Sequence, residues 1–443
     1  MGEADVALGS GPTPFGKEMK KHFSFAPGYH NLNHGSYGTC PTAIQREANR
    51  LRDECEARPC PFIKYRFPEL LDESRAAVAQ FLGVPRSTVV FVTNATTGVN
   101  TVFRNMVWNT DGKDEIIEFD VVYGACGKTA DYISETSRDL VRTRQIQLTY
   151  PVEDDDFVAA FREAIDASRR DGRRPRIAIF DTISSNPGIR LPFEALTAVC
   201  RSEGVLSLID AAHGIGQIDL DLPSLDPDFL VSNCHKWLFT PRGCAMFYVP
   251  ERNQAMMRST IPTSHGFRPR LAQNEEKKIS IAPQSHSEFE LNFEHTGTYD
   301  NIAFLTVPAA IKWRQTVCGG EEKIRTYCTN LAREGGKIVA AALGTSVLDN
   351  STHTYTDCFL VNILLPVPPK EGECMNWRGR PVNISEWMQR TLIEEWQTYM
   401  PVYWFKGAWW FRISAQVYLE LSDFEWAGSA MKEVCRKVNE LLG

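Results

Sequence analysis

The sequence predicts an α/β fold, a mostly parallel seven-stranded sheet flanked by helices, with a smaller α+β unit at the C-terminus. Two observations carry this. From about Thr88 to Val249, short apolar runs rich in β-branched residues alternate with charged segments of helical character, the pattern of buried strands joined by crossover helices. After about Asn301 the alternation loosens, so residues 1–30 read as an N-terminal extension, 31–300 as a large α/β domain and 301–443 as a small α+β domain.

In chain order the strands are expected at Thr88–Val92, Glu115–Phe119, Gln145–Thr149, Arg176–Asp181, Val205–Asp210, Phe229–Ser232 and Cys244–Val249. Each is a short run of β-forming residues that stops near a polar cluster. Ligands of open α/β sheets bind at the carboxyl ends of strands, so these clusters are expected to converge on one pocket. After the third strand, Glu153-Asp154-Asp155-Asp156 opens a helical stretch that closes on Arg169, Arg170 and Arg173. Acid first and base last complement the helix dipole, which reads the acidic run as a helix start rather than a cation site. The stretch Pro366 to Asn383, punctuated by proline and glycine before Trp377, is expected to be an exposed loop.

Composition narrows the function class. A chain of 443 residues with 43% hydrophobic and 23% charged content builds a large globular core. A net charge of −7 offers no positive field for a phosphate backbone, so nucleic acid is not the expected partner. The first twenty residues, with Glu3 and Asp5, lack an apolar signal core, and no run is long and apolar enough to span a bilayer. Twelve cysteines without a regular framework read as reduced thiols of a cytoplasmic protein. Cys55 with Cys60, and Cys234 beside His235, lack zinc-site spacing, so no metal is expected.

The strand ends supply the chemistry. Lys236 closes the run Asp228-Phe229-Leu230-Val231-Ser232-Asn233-Cys234-His235-Lys236-Trp237, in which an apolar strand stops in reactive side chains. A lysine desolvated there becomes a nucleophile toward carbonyls, although a surface lysine after an edge strand has the same local sequence. Asp210, followed by Ala211-Ala212-His213, is placed to hold a protonated pyridine nitrogen, or else to cap a helix. His213 reads as a ring contact or a core histidine. Ala95, Thr96 and Thr97, opening a helix after a strand, form an anion cup, although the same residue types are common helix caps. Tyr123 offers a ring to stack and a phenol to donate a proton, Ser185 a hydroxyl for a phenolic oxygen. Arg412, a cation inside the apolar run Phe411-Arg412-Ile413-Ser414, calls for a substrate carboxylate or a structural ion pair. Together these are the parts a pyridoxal phosphate site requires.

Asp210-Ala211-Ala212-His213, Ser232-Asn233-Cys234-His235-Lys236 and Arg412-Ile413-Ser414 resemble the class V branch of fold type I pyridoxal phosphate enzymes over about Leu32 to Leu421. The resemblance implies that Lys236 carries the cofactor, with His235 beside it. Asp210 would face the ring nitrogen, and Thr296 to Thr298 would reach a phosphate in the neighbouring subunit of a homodimer. The runs Leu32-Asn33-His34-Gly35-Ser36-Tyr37-Gly38, Glu56-Ala57-Arg58-Pro59, Tyr123-Gly124-Ala125-Cys126 and Asn233 to Gly243 are more specifically similar to fungal C–S lyases of ergothioneine biosynthesis, which cleave hercynylcysteine sulfoxide. One departure is His213, where a glutamine is expected in that group.

By this likeness Asn33, His34, Arg58 and Arg412 bind a cysteine sulfoxide conjugate. Lys236 removes its Cα proton and Tyr123 protonates the leaving sulfur, with pyruvate and ammonia as the other products. The aromatic runs Phe62, Tyr65, Phe67 and Tyr403 to Phe411 serve either as a betaine cage or as core. Two rival activities share the cofactor residues: a cysteine desulfurase, for which Cys374 is the candidate thiol, and an aminotransferase or isopenicillin N epimerase-like enzyme. A cofactor-free scaffold on the same fold is the third.

Overall fold

The computed structural model describes residues 11–269, 286–375 and 380–442, so Glu3, Asp5 and Trp377 lie outside the described residues. Strands β1 (Val89–Val92), β2 (Asp114–Phe119), β3 (Val141–Ile146), β4 (Arg174–Asp181), β5 (Leu206–Asp210), β6 (Phe229–Ser232) and β7 (Ala245–Tyr248) form one sheet in the order β1-β7-β6-β5-β4-β2-β3. From β3 to β6 neighbouring strands run parallel, and β7 runs antiparallel to both β6 and β1. This reversal positions the site: the chain leaves β6, makes a tight turn through Lys236 and returns beside the strand it left. Every residue of β1, β2, β6 and β7 is buried, because helices cover both faces.

Six expected strands fall within two residues of their places; the third is corrected from Gln145–Thr149 to Val141–Ile146. It is the sheet edge, and Arg142 and Arg144 occupy positions that an interior strand fills with apolar side chains. Arg144 instead pairs with Glu115 of β2 at 2.7 Å. The helix Asp154–Arg170 begins on Asp154, Asp155 and Asp156 and ends on Arg169 and Arg170, as the dipole argument requires.

A second sheet layer holds β8 (Leu360–Leu364), β9 (Glu373–Met375), β10 (Pro381–Asn383), β11 (Val402–Phe405) and β12 (Ala408–Ser414). β11-β12-β8 form one antiparallel sheet and β9-β10 another. The expected exposed loop is corrected in part: most of its described residues are exposed, but Glu373–Met375 and Pro381–Asn383 pair as β9-β10, and Cys374, opposite Val382, is buried in the second core. Proline and glycine there mark the approaches to a strand pair, not its absence. Met19, Phe23, Leu32 and Ile44 pack into that same core with Phe411, Ile413 and Val417. The Leu32 carbonyl accepts a 2.8 Å bond from the Ser414 amide, stitching the start of the chain to β12. All twelve cysteines are free, and no described helix is long and apolar enough to cross a membrane.

Candidate active site

After β6 the chain passes through Asn233 into the one-turn helix Cys234–Trp237. A helix this short satisfies almost none of its own backbone groups, so its neighbours do. Asn233 Oδ1 accepts from the Ala95 amide at 2.9 Å, and His235 Nδ1 donates to the Cys244 carbonyl at 2.8 Å. The Lys236 carbonyl accepts from His34 Nε2 at 2.6 Å and the Trp237 carbonyl from Arg314 at 2.6 Å. Gly38, at φ 65°, lies so close that a Cβ would stand 1.8 Å from the His235 carbonyl oxygen, so glycine is required there.

The Lys236 amine lies 3.1 Å from His213 Nε2, while the Trp237 indole donates to His213 Nδ1 at 3.1 Å. An indole N–H only donates, so Nδ1 accepts, Nε2 carries the hydrogen and the amine is left as an acceptor. That geometry suits a neutral lysine. Burial lowers its pKa from 10.5 to about 8, against the opposing pull of Asp210. Burial, with the charges of Lys236 and Arg412, holds His213 well below the usual histidine range.

Asp210 and Asp181 end β5 and β4 in register, two buried carboxyl groups side by side on one face. Asp210 caps no helix: its Oδ1 accepts from the Ala212 amide at 2.9 Å and its Oδ2 from the Cys126 thiol at 3.2 Å. Asp181 Oδ2 is buried without a partner. Burial raises the pKa of both, and in Asp181 the Asp210 charge adds to it.

Arg412, on β12, is 1% exposed. It donates to the Ser185 carbonyl, to Asn33 Oδ1 at 3.1 Å and to Ser36 Oγ at 2.9 Å, while its Nε has no partner. It forms no ion pair among the described residues, so the structural-pair alternative has no carboxylate to rest on. Tyr123 follows β2, is 44% exposed, and presents a phenol whose pKa is raised by burial and then by Cys126 and Asp210. Thr96 and Thr97 line a cavity of about 520 Å³ with Arg104, Ser259 and Thr263. In the same turn Asn94 Oδ1 caps the Thr97 amide at 2.8 Å.

One expectation is not met by the geometry of this chain. His34 is corrected from a substrate contact: one ring nitrogen serves the Lys236 carbonyl and the other Tyr418. Arg58 is exposed at the end of the helix Thr42–Ala57, and its side chain makes no hydrogen bond or ion pair among the described residues. Thr298 is exposed, and the Thr296 hydroxyl lies 3.2 Å from the Tyr299 hydroxyl. Of the aromatic runs, Phe62, Phe67, Trp409 and Phe411 fill cores, whereas Tyr65 is 54% exposed. Sequence reasoning passed over Ser36, Cys126, Asp181, Arg314 and Tyr418. Only Asp181 carried a signal, since it ends a strand next to the one ending in Asp210.

A desolvated lysine after a strand end, a buried carboxylate on the neighbouring strand and an arginine of a second sheet without an ion pair among the described residues define a fold type I pyridoxal phosphate enzyme. The chain belongs to the class V aminotransferase family, which it matches over residues 58–363. It is 36% identical over 451 residues to an L-cysteine desulfhydrase-like protein of Epichloe uncinata, covering 98% of each chain. It is 31% identical over 424 residues to the hercynylcysteine sulfoxide lyase of Schizosaccharomyces pombe, covering 95% of this chain and 98% of that one. The cystine C–S lyase C-DES, solved with its product cysteine persulfide, superposes with a TM-score of 0.70 at 18% identity, covering 92% of this chain and 97% of that one. That likeness is one of fold. The residues present suit the chemistry of pyridoxal phosphate: a buried amine with no ion pair among the described residues and a buried carboxylate at the end of the neighbouring strand.

Proposed function

We propose that this protein is a pyridoxal phosphate-dependent C–S lyase that performs β-elimination on hercynylcysteine sulfoxide, releasing an ergothioneine sulfenic acid, pyruvate and ammonia. The identity to the Schizosaccharomyces pombe lyase along nearly the whole of both chains carries this reading, and the site chemistry agrees with it. The cofactor, when bound, supplies a sink for the electron pair left on Cα. Arg412, with a buried guanidinium short of an anion, binds the substrate α-carboxylate, and Asn33 and Ser36 hold that guanidinium in place. Asp210 keeps the ring nitrogen protonated. Lys236, whose pKa of about 8 lets it accept a proton near neutrality, takes the Cα proton. Tyr123, protonated and solvent-facing, gives its proton to the departing sulfur. Ser185, His213 and His235 complete the cofactor's surroundings. Twelve free cysteines support a reducing, cytoplasmic setting, and a homodimer is proposed in which Thr296 and Thr298 serve the partner's site.

The identity to the Epichloe uncinata protein favours a second reading, an L-cysteine desulfhydrase. The desulfurase reading has less support, because Cys374 is buried on β9 and burial raises its thiol pKa, where sulfur relay needs an exposed thiolate. Incubating the loaded enzyme with hercynylcysteine sulfoxide and, separately, with cysteine separates these activities. Pyruvate with ergothioneine sulfenic acid from the sulfoxide alone, read as ergothioneine once an added thiol reductant has reduced it, is the expected result. Sulfide with pyruvate from cysteine alone would make it a desulfhydrase, and alanine with transferred sulfur a desulfurase.

A further inference from the structure

His34 lies at the centre of a chain of hydrogen bonds with only one possible direction. Its ring is 1% exposed, with Nε2 2.6 Å from the Lys236 carbonyl oxygen and Nδ1 3.0 Å from the Tyr418 hydroxyl. A carbonyl only accepts, so Nε2 must carry the hydrogen; Nδ1 is then bare and accepts from the phenol. The phenol oxygen in turn accepts from the Asn31 side-chain amide at 2.7 Å. Amide, phenol, imidazole and carbonyl thus point one way, and the histidine tautomer is fixed by its neighbours. A charged ring would break the order, because it would put a proton on Nδ1 against the phenol donor and a cation near Arg314. Burial holds the ring neutral, with a pKa down to about 4.

The receiving group explains why such a donor is needed. Lys236 sits in a four-residue helix, whose carbonyls lack the following turn that would normally bond them. Its direction is therefore set from outside, and the residues doing so come from the start of the chain and from beyond β12.

We propose that His34 is a positioning residue for Lys236, a neutral Nε2 donor that fixes the lysine's backbone carbonyl and so the direction in which its amine leaves the turn. This rests on reading Lys236 as the residue that carries the cofactor.

Two polar variants test it. The amide nitrogen of glutamine reaches the place of Nε2, whereas that of asparagine reaches only the place of Nδ1. His34→Gln is expected to bind pyridoxal phosphate within about threefold of the wild type, and His34→Asn to weaken binding and lower kcat by on the order of tenfold or more with KM unchanged, the size of loss that sub-ångström misplacement brings. Equal cofactor affinity and kcat in the two variants would overturn the proposal, as would a rise in KM at constant kcat, which would return His34 to the substrate. Cofactor affinity is read by absorbance titration without substrate, so the result does not depend on which sulfur compound is cleaved. A wild-type protein that takes up no pyridoxal phosphate would overturn the reading of Lys236 and this proposal with it.

Discussion

Arg75 and Arg314 are as deeply buried as Arg412, but they are answered differently. Arg75 pairs with Glu290 and with Asp72 at 2.9 Å, and Arg314 binds Glu321 through two nitrogens while donating to the Trp237 and Gly216 carbonyls. Arg412 meets only neutral oxygens and leaves one nitrogen bare. Lys236 shares with Arg412 only the lack of an ion pair among the described residues: its amine, an acceptor in this geometry, faces the neutral His213. A buried cation that is already paired is part of the scaffold, and one left unpaired is where an anionic or carbonyl ligand completes the charge.

The contrast is sharpest in the variants it orders. Lys236→Ala is expected to cut turnover by on the order of 10⁴-fold, since one group serves as both nucleophile and base, while the melting temperature of the ligand-free protein stays level. Next come the arginines. Arg412→Met is expected to raise KM by on the order of 10²- to 10³-fold without destabilising the ligand-free protein. Arg75→Met and Arg314→Met leave carboxylates unpaired and are expected to cost about 3–5 kcal/mol in denaturant unfolding. Destabilisation by Arg412→Met comparable to theirs would erase the distinction.

Tyr123→Phe retains the cofactor and is expected to lower kcat by on the order of 10²-fold, the lower range for a lost general acid; an unchanged kcat removes Tyr123 from that role. A milder probe uses pH. Lys236 has a folded pKa of about 8 against an ordinary 10.5, so the unfolded chain binds more protons between those values and the ligand-free fold gains stability as pH rises through that window. Cofactor uptake by ligand-free protein should climb with a midpoint near 8; a midpoint near 10.5 would mean a solvated amine. The smallest effect is expected at Cys374, where Ser should leave C–S cleavage within about twofold, because the thiol packs into a core remote from any charge contrast.

Much of this was legible in the residue order. The strand ends at Lys236 and Asp210, and Arg412 inside an apolar strand, announce themselves because charge set among apolar residues is costly unless something compensates it. What escaped has a common physical cause. The arginines of β3 masked a strand because edge positions tolerate charge, and Cys374 was hidden because turn residues outnumber the few that pair. His34 was assigned to the substrate because a motif gives residue identities but not directions. Whether an imidazole faces a ligand or a backbone carbonyl is decided by segments that local sequence does not bring together.

The bond between Asn33 and Arg412 spans 379 positions of the chain. Its consequence lies in synthesis: the large sheet is translated well before β12, and through that interval the lysine turn exists without the arginine proposed to hold the substrate carboxylate. A ribosome-bound chain can bury its first core yet cannot hold substrate until the last strand has docked. Substrate binding is therefore expected of the finished chain only, and shortening the protein from its C-terminus to before Arg412 is expected to abolish it rather than merely weaken it.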